Sequence, residues 1–411
     1  MGKKTEKDLM VALDIGTSKI AALVGEIGPQ GQVEVIGFGA HPSRGLKKGV
    51  VVNIDTTVQS IKCAIEEAEL MAGCEIHSAY TGIAGSHIRS LNSHGIVAIR
   101  DREVNSHDVD RVIDAAKAVA IPADQKILHI VPQEFVIDSQ DGVREPIGMS
   151  GVRLEAKVHI VTGAASAAQN ITKCVKQCGL QVDDIVLEQL ASSKAVLTDD
   201  EKELGVCLVD IGGGTTDIAI FTEGAIRHTA VIPIAGDHVT SDVAVALRTP
   251  MQSAEAIKIE HGCTLLNSAE SPEMIEVPGV ASRSAKQIHK KSLVQVIQAR
   301  YAELFELVAA EIRRSGFENL VASGIVLTGG ASKVDGASQL AESICQMPVR
   351  LGVPENISGL VDVRDNPGFS TGVGLLMHGV KSQKYGVASF DIGRSADGLW
   401  SRMKNWFNSN F

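Results

Sequence analysis

Two aspartates occupy equivalent places in two similar segments of the chain. Asp14 lies in LMVALDIGTSKIAALVGEI, and Asp210 lies about two hundred residues later in LGVCLVDIGGGTTDIAIFTEG. In each segment an apolar run ends in Asp-Ile-Gly, a turn of small residues follows, and a second apolar run begins. This pattern predicts two β-hairpins with an aspartate at each bend. A duplication at so long a period predicts two similar domains rather than a solenoid of short repeats.

The second bend has the composition of a phosphate-binding turn. Gly212, Gly213 and Gly214 allow close backbone approach, so consecutive N–H groups can converge on an anion together with the hydroxyls of Thr215 and Thr216. The alternative is that glycines here only make a tight hairpin. Because the motif is duplicated, we favour the phosphate interpretation.

A third glycine-rich turn follows later in the chain. Residues 324–344, GIVLTGGASKVDGASQLAESI, predict a buried strand, a turn at Gly329 and Gly330, and an amphipathic helix. Such units are common in α/β proteins, but after two phosphate hairpins we interpret this one as an adenosine site. Asp14 and Asp210, facing each other across the cleft, would hold a hydrated Mg²⁺, which prefers a few carboxylates together with phosphates.

Composition predicts a globular protein of more than one domain. The 411 residues are 44% hydrophobic, which is enough to fill two or more cores. The net charge of −10, without a basic stripe, argues against nucleic acid as a partner. The seven cysteines are odd in number and scattered, which predicts a reducing compartment, and the charged N-terminus does not resemble a secretory signal.

The order of these motifs resembles the actin, Hsp70 and sugar-kinase superfamily, in which phosphate 1, phosphate 2 and adenosine motifs follow one another. Segments along the whole chain, among them PSRGLKKGVV, VPQEFVID, AEAIKIEHG and ASGIVLTGGASKVDG, more closely resemble the FtsA family of bacterial cell-division proteins. The resemblance implies an α/β, actin-like ATPase fold with two duplicated domains around a nucleotide cleft. It also implies an inserted α+β subdomain, a C-terminal amphipathic helix, ATP and Mg²⁺ as cofactors, and at most slow ATP hydrolysis without a small-molecule substrate.

The resemblance also implies a division of the chain. Its parts are the first part of domain 1 (8–85), the inserted subdomain (86–164), the second part of domain 1 (165–200), the first part of domain 2 (201–236), a domain 2 subdomain (237–310), the adenosine part of domain 2 (311–368), a return to domain 1 (369–380), a flexible linker (381–397) and an amphipathic helix (398–411).

The inserted subdomain has its own pattern of strands and helices. GIVAI and KILHIVPQEFVI predict strands, and EAKVHIVTG predicts a further pair of strands. Between the first two, Asn105 or Ser106 would cap a helix with one apolar face. The resemblance implies that this subdomain contacts other subunits and later division proteins.

The family's site residues map onto matching positions of this chain. Lys258 matches a helix that reaches the ribose, and the alternative is an exposed lysine. Glu188 resembles the residue that positions the attacking water, and the alternative is an acid favoured by the helix dipole. Lys19 stands closer to Asp14 than the corresponding lysine does in actin. The phosphate 1 set is Asp14, Gly16, Thr17, Ser18 and Lys19, the phosphate 2 set is Asp210, Gly212, Gly213, Gly214, Thr215 and Thr216, and the adenosine set is Gly329 and Gly330.

A local excess of positive charge stands in RSAKQIHKK (283–291), before a predicted long helix that carries Arg300. Most such runs are solvated faces. The resemblance implies the alternative that Lys290, Lys291 and Arg300 contact the acidic, partly apolar C-terminal tail of the tubulin-like division protein FtsZ.

Both tryptophans of the chain lie in its last residues, GLWSRMKNWFNSNF. On a helix the apolar side chains fall within an arc of roughly 140°, with a cation on each side, which predicts a helix on an anionic membrane surface. The alternative is that the tail packs on its own domain. The apolar residues include Leu399, Trp400, Met403, Trp406 and Phe407, and the cations are Arg402 and Lys404.

The resemblance therefore implies an ATP-binding protein that self-assembles and anchors FtsZ filaments to the cytoplasmic face of the inner membrane at the division septum. Two alternatives stay open. A kinase or phosphatase of the superfamily would need a substrate-side base and would have no use for the tail. A pilus-assembly scaffold such as PilM would lack the tail and the FtsZ-binding region.

Overall fold

The computed structural model describes residues 9–28, 32–266, 273–281 and 284–384. The first helix begins after Asn53, whose side chain accepts a hydrogen bond from the Thr56 N–H, and it ends at Gly73 in the left-handed conformation. The first segment contains β1 (Leu9–Ile15), β2 (Lys19–Ile27), β3 (Val33–Pro42), β4 (Leu46–Lys47), β5 (Val50–Val51), α1 (Ile54–Ala72) and β6 (Ser78–Ile83).

The inserted subdomain is an antiparallel sheet in the order β7-β10-β8-β9, covered by one helix. Asn105 caps the helix as predicted, in a reciprocal pair with Asp108. The predicted pair of strands around EAKVHIVTG is wrong, because this segment is the single strand β10, which lies between β7 and β8. The elements are β7 (Arg89–Ala98), α2 (Ser106–Lys117), β8 (Gln125–Ile137), β9 (Gln140–Val143) and β10 (Arg153–Ala164).

The rest of the chain completes domain 1 and builds domain 2. Next come α3 (Ala165–Gln177), β11 (Gln181–Leu187), α4 (Glu188–Val196), α5 (Asp199–Leu204), β12 (Val206–Ile211), β13 (Thr216–Thr222), β14 (Ala225–Ile232), α6 (Gly236–Leu247), α7 (Met251–His261), β15 (Met274–Val277), β16 (Lys286–His289) and α8 (Lys290–Ser315). The last are β17 (Ile325–Thr328), α9 (Ala337–Cys345), β18 (Val349–Leu351), β19 (Ile357–Gly359), α10 (Val361–Arg364) and α11 (Ser370–Lys384).

The two large sheets have the same topology, which confirms the predicted duplication. One has the order β3-β2-β1-β6-β11, with β19 added beside β3, and the other has the order β14-β13-β12-β17-β18. In both, an antiparallel hairpin is followed by strands parallel to its first strand. The predicted hairpins are β1–β2 and β12–β13, and each bend lies at the carboxyl end of a central buried strand.

Helices cover both faces of the domain 1 sheet. On one face, Gly39 of β3 lets α1 approach so closely that an added Cβ would lie 2.1 Å from the Ala64 carbonyl oxygen. On the opposite face, an added Cβ on Gly25 would lie 3.2 Å from Leu376 of α11. The helix α11 continues to Lys384, so the linker predicted to begin at residue 381 overlaps its last turn. None of the helices in the described ranges is long and apolar enough to cross a bilayer.

Candidate functional site

The two predicted phosphate turns lie against each other. A Cβ placed on Gly213 would lie 1.8 Å from Ser18 Oγ, and one on Gly214 would lie 2.6 Å from Thr17 Oγ1. The Ser18 hydroxyl donates to the Asp237 carboxylate at 3.0 Å, and the Asp237 N–H donates to the Gly213 carbonyl at 2.8 Å. The first turn of α6 therefore ties the two bends together.

Hydroxyl groups hold each turn in shape. The Gly212 N–H donates to the Thr215 carbonyl at 3.0 Å, which closes the second turn. The Thr216 hydroxyl donates to the Ile234 carbonyl at 2.8 Å, and the Thr17 hydroxyl accepts from the Gly49 N–H at 2.9 Å. A Cβ on Gly16 would lie 2.9 Å from the Lys19 carbonyl oxygen, so the first turn is equally tight.

The two aspartates of the bends are buried close to each other. Asp14 and Asp210 are each 8% exposed. Burial raises the pKa of Asp14 to about 6, Lys19 opposes this rise, and the charge of Asp210 adds to it. Burial also raises the pKa of Asp210 to about 6, against hydrogen bonds from Ser192 and Thr371. The structure therefore brings these two carboxyl groups close enough for their charges to interact.

A third carboxyl group, that of Asp217, is not among the residues predicted from the sequence. It lies on β13 directly opposite Asp210 in the hairpin register and is 4% exposed. One oxygen accepts from the Thr215 hydroxyl at 3.0 Å, and the other has no hydrogen-bond partner among the described residues. Burial and the neighbouring Asp210 raise its pKa to about 8. The signal was present in DIGGGTTD, where the second aspartate occupies the position opposite the first.

Glu188 is the fourth carboxyl group of this cluster. It is the first residue of α4, so the helix-dipole interpretation holds, but its side chain also lies beside Gly82 of β6. Burial raises its pKa well above the usual value, and the charges of Asp14, Asp217 and Asp210 raise it further. The structure therefore places Glu188 at a helix N-terminus and in the same group of carboxyl groups as Asp14, Asp210 and Asp217.

These carboxyl groups suit a hydrated cation better than a directly ligated one. In the described part of the chain, no three His, Cys, Asp or Glu side chains are arranged to bind a metal directly. The free oxygen of Asp217 and the adjacent Asp210 can accept hydrogen bonds from water. Magnesium keeps several waters and is usually held by one or two carboxylates plus phosphates, so this donor set fits it.

Lys19 extends towards Phe369 and Gly368. Its Nζ lies 3.5 Å from the centre of the Phe369 ring, and a Cβ placed on Gly368 would lie 3.4 Å from it. Burial lowers the pKa of Lys19, while Asp14 raises it and Lys333 lowers it further. Its position is therefore set by Asp14 and by the aromatic ring.

The Gly-Gly turn combines one constrained and one open position. Gly329 has φ +87°, and an added Cβ would lie 2.3 Å from the Asp210 carboxylate. Around Gly330, an added Cβ would have no atom within 4 Å. Tyr301 of α8, only 1% exposed, donates its hydroxyl to the Ala331 carbonyl at 2.6 Å and so fixes the end of the turn. No local motif indicates Tyr301, because only the fold brings it to this turn.

Lys258 is buried, so the alternative of an exposed lysine is wrong. Its side chain is paired with Glu255 at 2.7 Å and donates to the Thr240 hydroxyl at 2.8 Å. It also lies 3.3 Å from the Gly236 carbonyl, and a Cβ added to Gly236 would lie 3.2 Å from Ala331. Lys258 therefore lies where the start of α6 meets the turn that contains Gly329 and Gly330.

The basic residues predicted to meet a peptide are largely paired within the chain. Arg300 donates two hydrogen bonds to the Asp242 carboxylate of α6, at 2.5 and 3.1 Å, and it also donates to Glu303. Lys290 pairs with Glu273 at 2.9 Å. Lys290 and Lys291 begin α8, so the basic run is partly helical rather than preceding the helix. A peptide carboxylate would have to compete with Asp242 for Arg300.

The predicted membrane residues lie outside the described residues. They are Leu399, Trp400, Arg402, Met403, Lys404, Trp406 and Phe407.

Family models match two parts of the chain. One, described as "Cell division protein FtsA", matches residues 207–374, and another, "SHS2 domain inserted in FTSA", matches residues 85–162. Relatives named "Cell division protein FtsA" match almost the whole chain. The protein from Pseudomonas aeruginosa is 64% identical over 98% of both chains, and the one from Escherichia coli is 46% identical over 100% of both.

Solved structures share the fold at low sequence identity. A structure titled "PilM-PilN type IV pilus biogenesis complex" has a TM-score of 0.67 at 15% identity, covering 90% of this chain and 98% of that chain. MreB5 of Spiroplasma citri bound to ADP has a TM-score of 0.52 at 16% identity, covering 89% of this chain and 95% of that chain. Such likenesses show the fold alone, and they confirm the predicted actin-like fold. The relatives show more: this chain belongs to the FtsA family of cell division proteins.

Proposed function

We propose that the cleft between the two hairpins binds Mg-ATP. The observation that carries this proposal is a group of four carboxyl groups beside the two hairpin turns, in which Asp14, Asp210 and Asp217 are buried and Glu188 is partly buried. Glycine turns supply N–H groups for phosphates, and a bound cation would favour the ionised form of the carboxyl groups beside it. The open side of Gly330 supports a nucleoside position there.

The protein residues around the nucleotide have separate tasks in this proposal. Gly212 to Thr216 and Thr17 to Ser18 would contact phosphates, and Asp14 and Asp210 would hold the waters of Mg²⁺. The bound cation would neutralise phosphate charge. Lys258 would act near the ribose, held there by Glu255 and Thr240.

The surroundings of Glu188 favour slow hydrolysis in this proposal. A general base must be ionised to accept a proton from water, and burial together with the three neighbouring carboxyl groups disfavours the ionised form of Glu188. We infer that Glu188 orients water rather than providing fast base catalysis, so nucleotide binding would serve assembly more than turnover.

We further propose that the chain self-assembles and links FtsZ filaments to the inner membrane at the septum. Family membership supports the division role, and the amphipathic pattern of residues 398–411 supports a peripheral contact with anionic lipid on the cytoplasmic side. Lys290, Lys291 and Arg300 would receive the acidic FtsZ tail, and the inserted subdomain would receive later division proteins. The alternatives of a superfamily kinase or phosphatase and of a PilM-like scaffold gain no support from the relatives.

The nucleotide proposal is tested by replacing Asp210 with alanine. The variant removes a cleft carboxyl group and little core volume, so we expect the fold to remain and Mg-ATP binding to weaken by tenfold or more. Calorimetric titration measures the affinity, and circular dichroism checks the fold. Unchanged affinity in a folded Asp210→Ala variant would contradict the assignment.

A further inference from the structure

The inserted subdomain contacts domain 2 at the free edge of β14. This strand is the edge of its sheet, and side chains from β7 and β8 donate hydrogen bonds to its backbone carbonyls. A sheet edge normally presents such groups to solvent or to another strand. The donors and acceptors are Gln133 with Ile226 at 2.7 Å, Asn92 with Arg227 at 3.1 Å, and Ser90 with Thr229 at 2.9 Å.

Asn92 is the centre of this contact. Its Oδ1 accepts from Gln133 Nε2 at 3.2 Å and lies 2.7 Å from His159 Nδ1. His159 Nε2 lies 3.0 Å from the Thr229 hydroxyl. Burial lowers the pKa of His159 to about 3, so the ring is neutral. One tautomer of the ring then satisfies the hydrogen bonds of both ring nitrogens. His159 then donates from Nδ1 to Asn92 and accepts from Thr229 at Nε2. We call Ser90, Asn92, Gln133 and His159 the latch.

The latch is connected to the phosphate 2 turn through one pair of strands. Thr229 on β14 is bonded to Ser90 and His159 of the latch. It lies opposite Ala219 on β13, and the same ladder places Ile232 opposite Thr216 of the phosphate 2 turn. The insert is covalently part of domain 1. If the insert moves with domain 1 and the β13–β14 pair moves as one unit, a rotation of the phosphate 2 turn away from domain 1 stretches these hydrogen bonds.

A second contact joins the insert to the turn that connects β13 and β14. Arg144, which follows β9, pairs with Glu203 at 2.6 Å and donates to the Glu223 carbonyl at 2.9 Å, in the turn between β13 and β14. All these contacts use side chains rather than strand pairing. They can break and reform without disturbing the hydrogen-bond ladder of either sheet.

We propose that the latch is a reversible clasp between the insert and domain 2, which stabilises the closed cleft and opens when the cleft opens. The observation behind it is that the latch is engaged in the same structure in which the two phosphate turns touch. The role of nucleotide in closing the latch rests on the proposed nucleotide function. Because coupling is reciprocal, a nucleotide that favours the closed cleft must tighten the latch, and a weakened latch must lower nucleotide affinity.

Two variants that weaken the latch test this reciprocity. Asn92→Ala removes the central amide of an exposed residue, and Gln133→Leu removes a buried donor while nearly keeping the side-chain volume. We expect each to lower Mg-ATP affinity at least about fivefold, although neither residue is near the cleft. Lys157→Ala is the control, because it breaks an ion pair with Glu134 that lies within the insert. Affinity equal to that of the control in folded variants would overturn the proposal.

Hydrogen exchange on the wild-type protein tests the same proposal without a substitution. On adding Mg-ATP, exchange should slow in residues 225–232 and 89–93 as well as in the phosphate turns. Slower exchange in the turns alone would contradict the latch and leave the nucleotide proposal standing. If the wild-type protein binds no nucleotide at all, the proposed function fails, and the latch loses its trigger with it.

Discussion

At the residue scale, the two glycines of the adenosine turn have different reasons to be glycine. Gly329 needs φ +87° and has no room for a Cβ, whereas Gly330 has open space. We predict that Gly329→Ala destabilises the fold by about 2 kcal/mol or more, from backbone strain and the clash with Asp210. Gly330→Ala should leave stability nearly unchanged and weaken ATP binding. Thermal unfolding and calorimetry measure the two effects, and equal loss of stability in both variants would contradict the assignment.

Asp217 should make the nucleotide-free protein less stable as pH rises. Its pKa is 3.8 in an ordinary environment and about 8 when folded, so between these values the folded state binds the extra proton. The free energy of unfolding then falls by up to about 1.4 kcal/mol per pH unit, and this contribution is complete below pH 4 and lost through pH 8. Asp217→Asn removes the titrating group. We expect the variant to gain stability over wild type between pH 6 and pH 8.

The test is chemical denaturation of both proteins at several pH values without nucleotide or Mg²⁺. A constant difference in stability between Asp217→Asn and wild type across this range would show that Asp217 does not titrate there. The nearby carboxyl groups are present in both proteins, so their titration affects both curves in the same direction.

Sequence could predict the site residues that share a local motif. The two bends and the Gly-Gly turn are contiguous segments, and their spacing predicts turns directly. Tyr301 and the burial of Lys258 could not be predicted, because each depends on contacts between segments far apart in the chain. Asp217 lies between these cases, since its position opposite Asp210 follows from the hairpin register.

At the element scale, α6 and α8 join the proposed peptide-binding region to the proposed nucleotide cleft. Arg300 on α8 binds Asp242 on α6, and the first turn of α6 contacts both phosphate turns. We predict that Asp242→Asn releases Arg300 and strengthens binding of an acidic FtsZ-tail peptide about twofold to fivefold, at a stability cost below about 1 kcal/mol. Arg300→Glu should weaken binding of the peptide without weakening binding of ATP.

Fluorescence anisotropy with a labelled peptide measures the first effect, and nucleotide calorimetry provides the control. Weaker peptide binding by Asp242→Asn would mean that the ion pair builds the site instead of competing for it. Parallel loss of peptide and ATP binding in Arg300→Glu would indicate misfolding.

Elements with strong local signals were predicted, and those defined by tertiary contacts were not. The hairpins follow from alternation around a turn, and α2 follows from its cap and apolar face. The single strand β10 was predicted as a pair, because its length depends on pairing with both neighbours. The helix α11 continues to Lys384 although its last residues lack periodicity, since Ser382 is buried against the domain.

At the scale of the whole molecule, membrane attachment should depend on assembly. A short amphipathic helix binds lipid weakly, roughly like a single acyl chain at about 10⁴ M⁻¹. When several chains assemble, later contacts become intramolecular, and avidity adds about 10² to 10⁴ without any new contact. Nucleotide binding, assembly and lipid binding should therefore strengthen one another.

The central claim is that this protein connects an FtsZ tail to a membrane, and flotation of a labelled tail peptide with anionic vesicles tests it most directly. With Mg-ATP, the full chain should carry the peptide to the vesicle fraction. Trp406→Glu and truncation after Asp397 should leave peptide binding in solution intact, but the protein should no longer float with the vesicles. The Arg300→Glu variant should float with the vesicles but carry no peptide. Equal flotation of the peptide with the truncated and full chains would contradict the account.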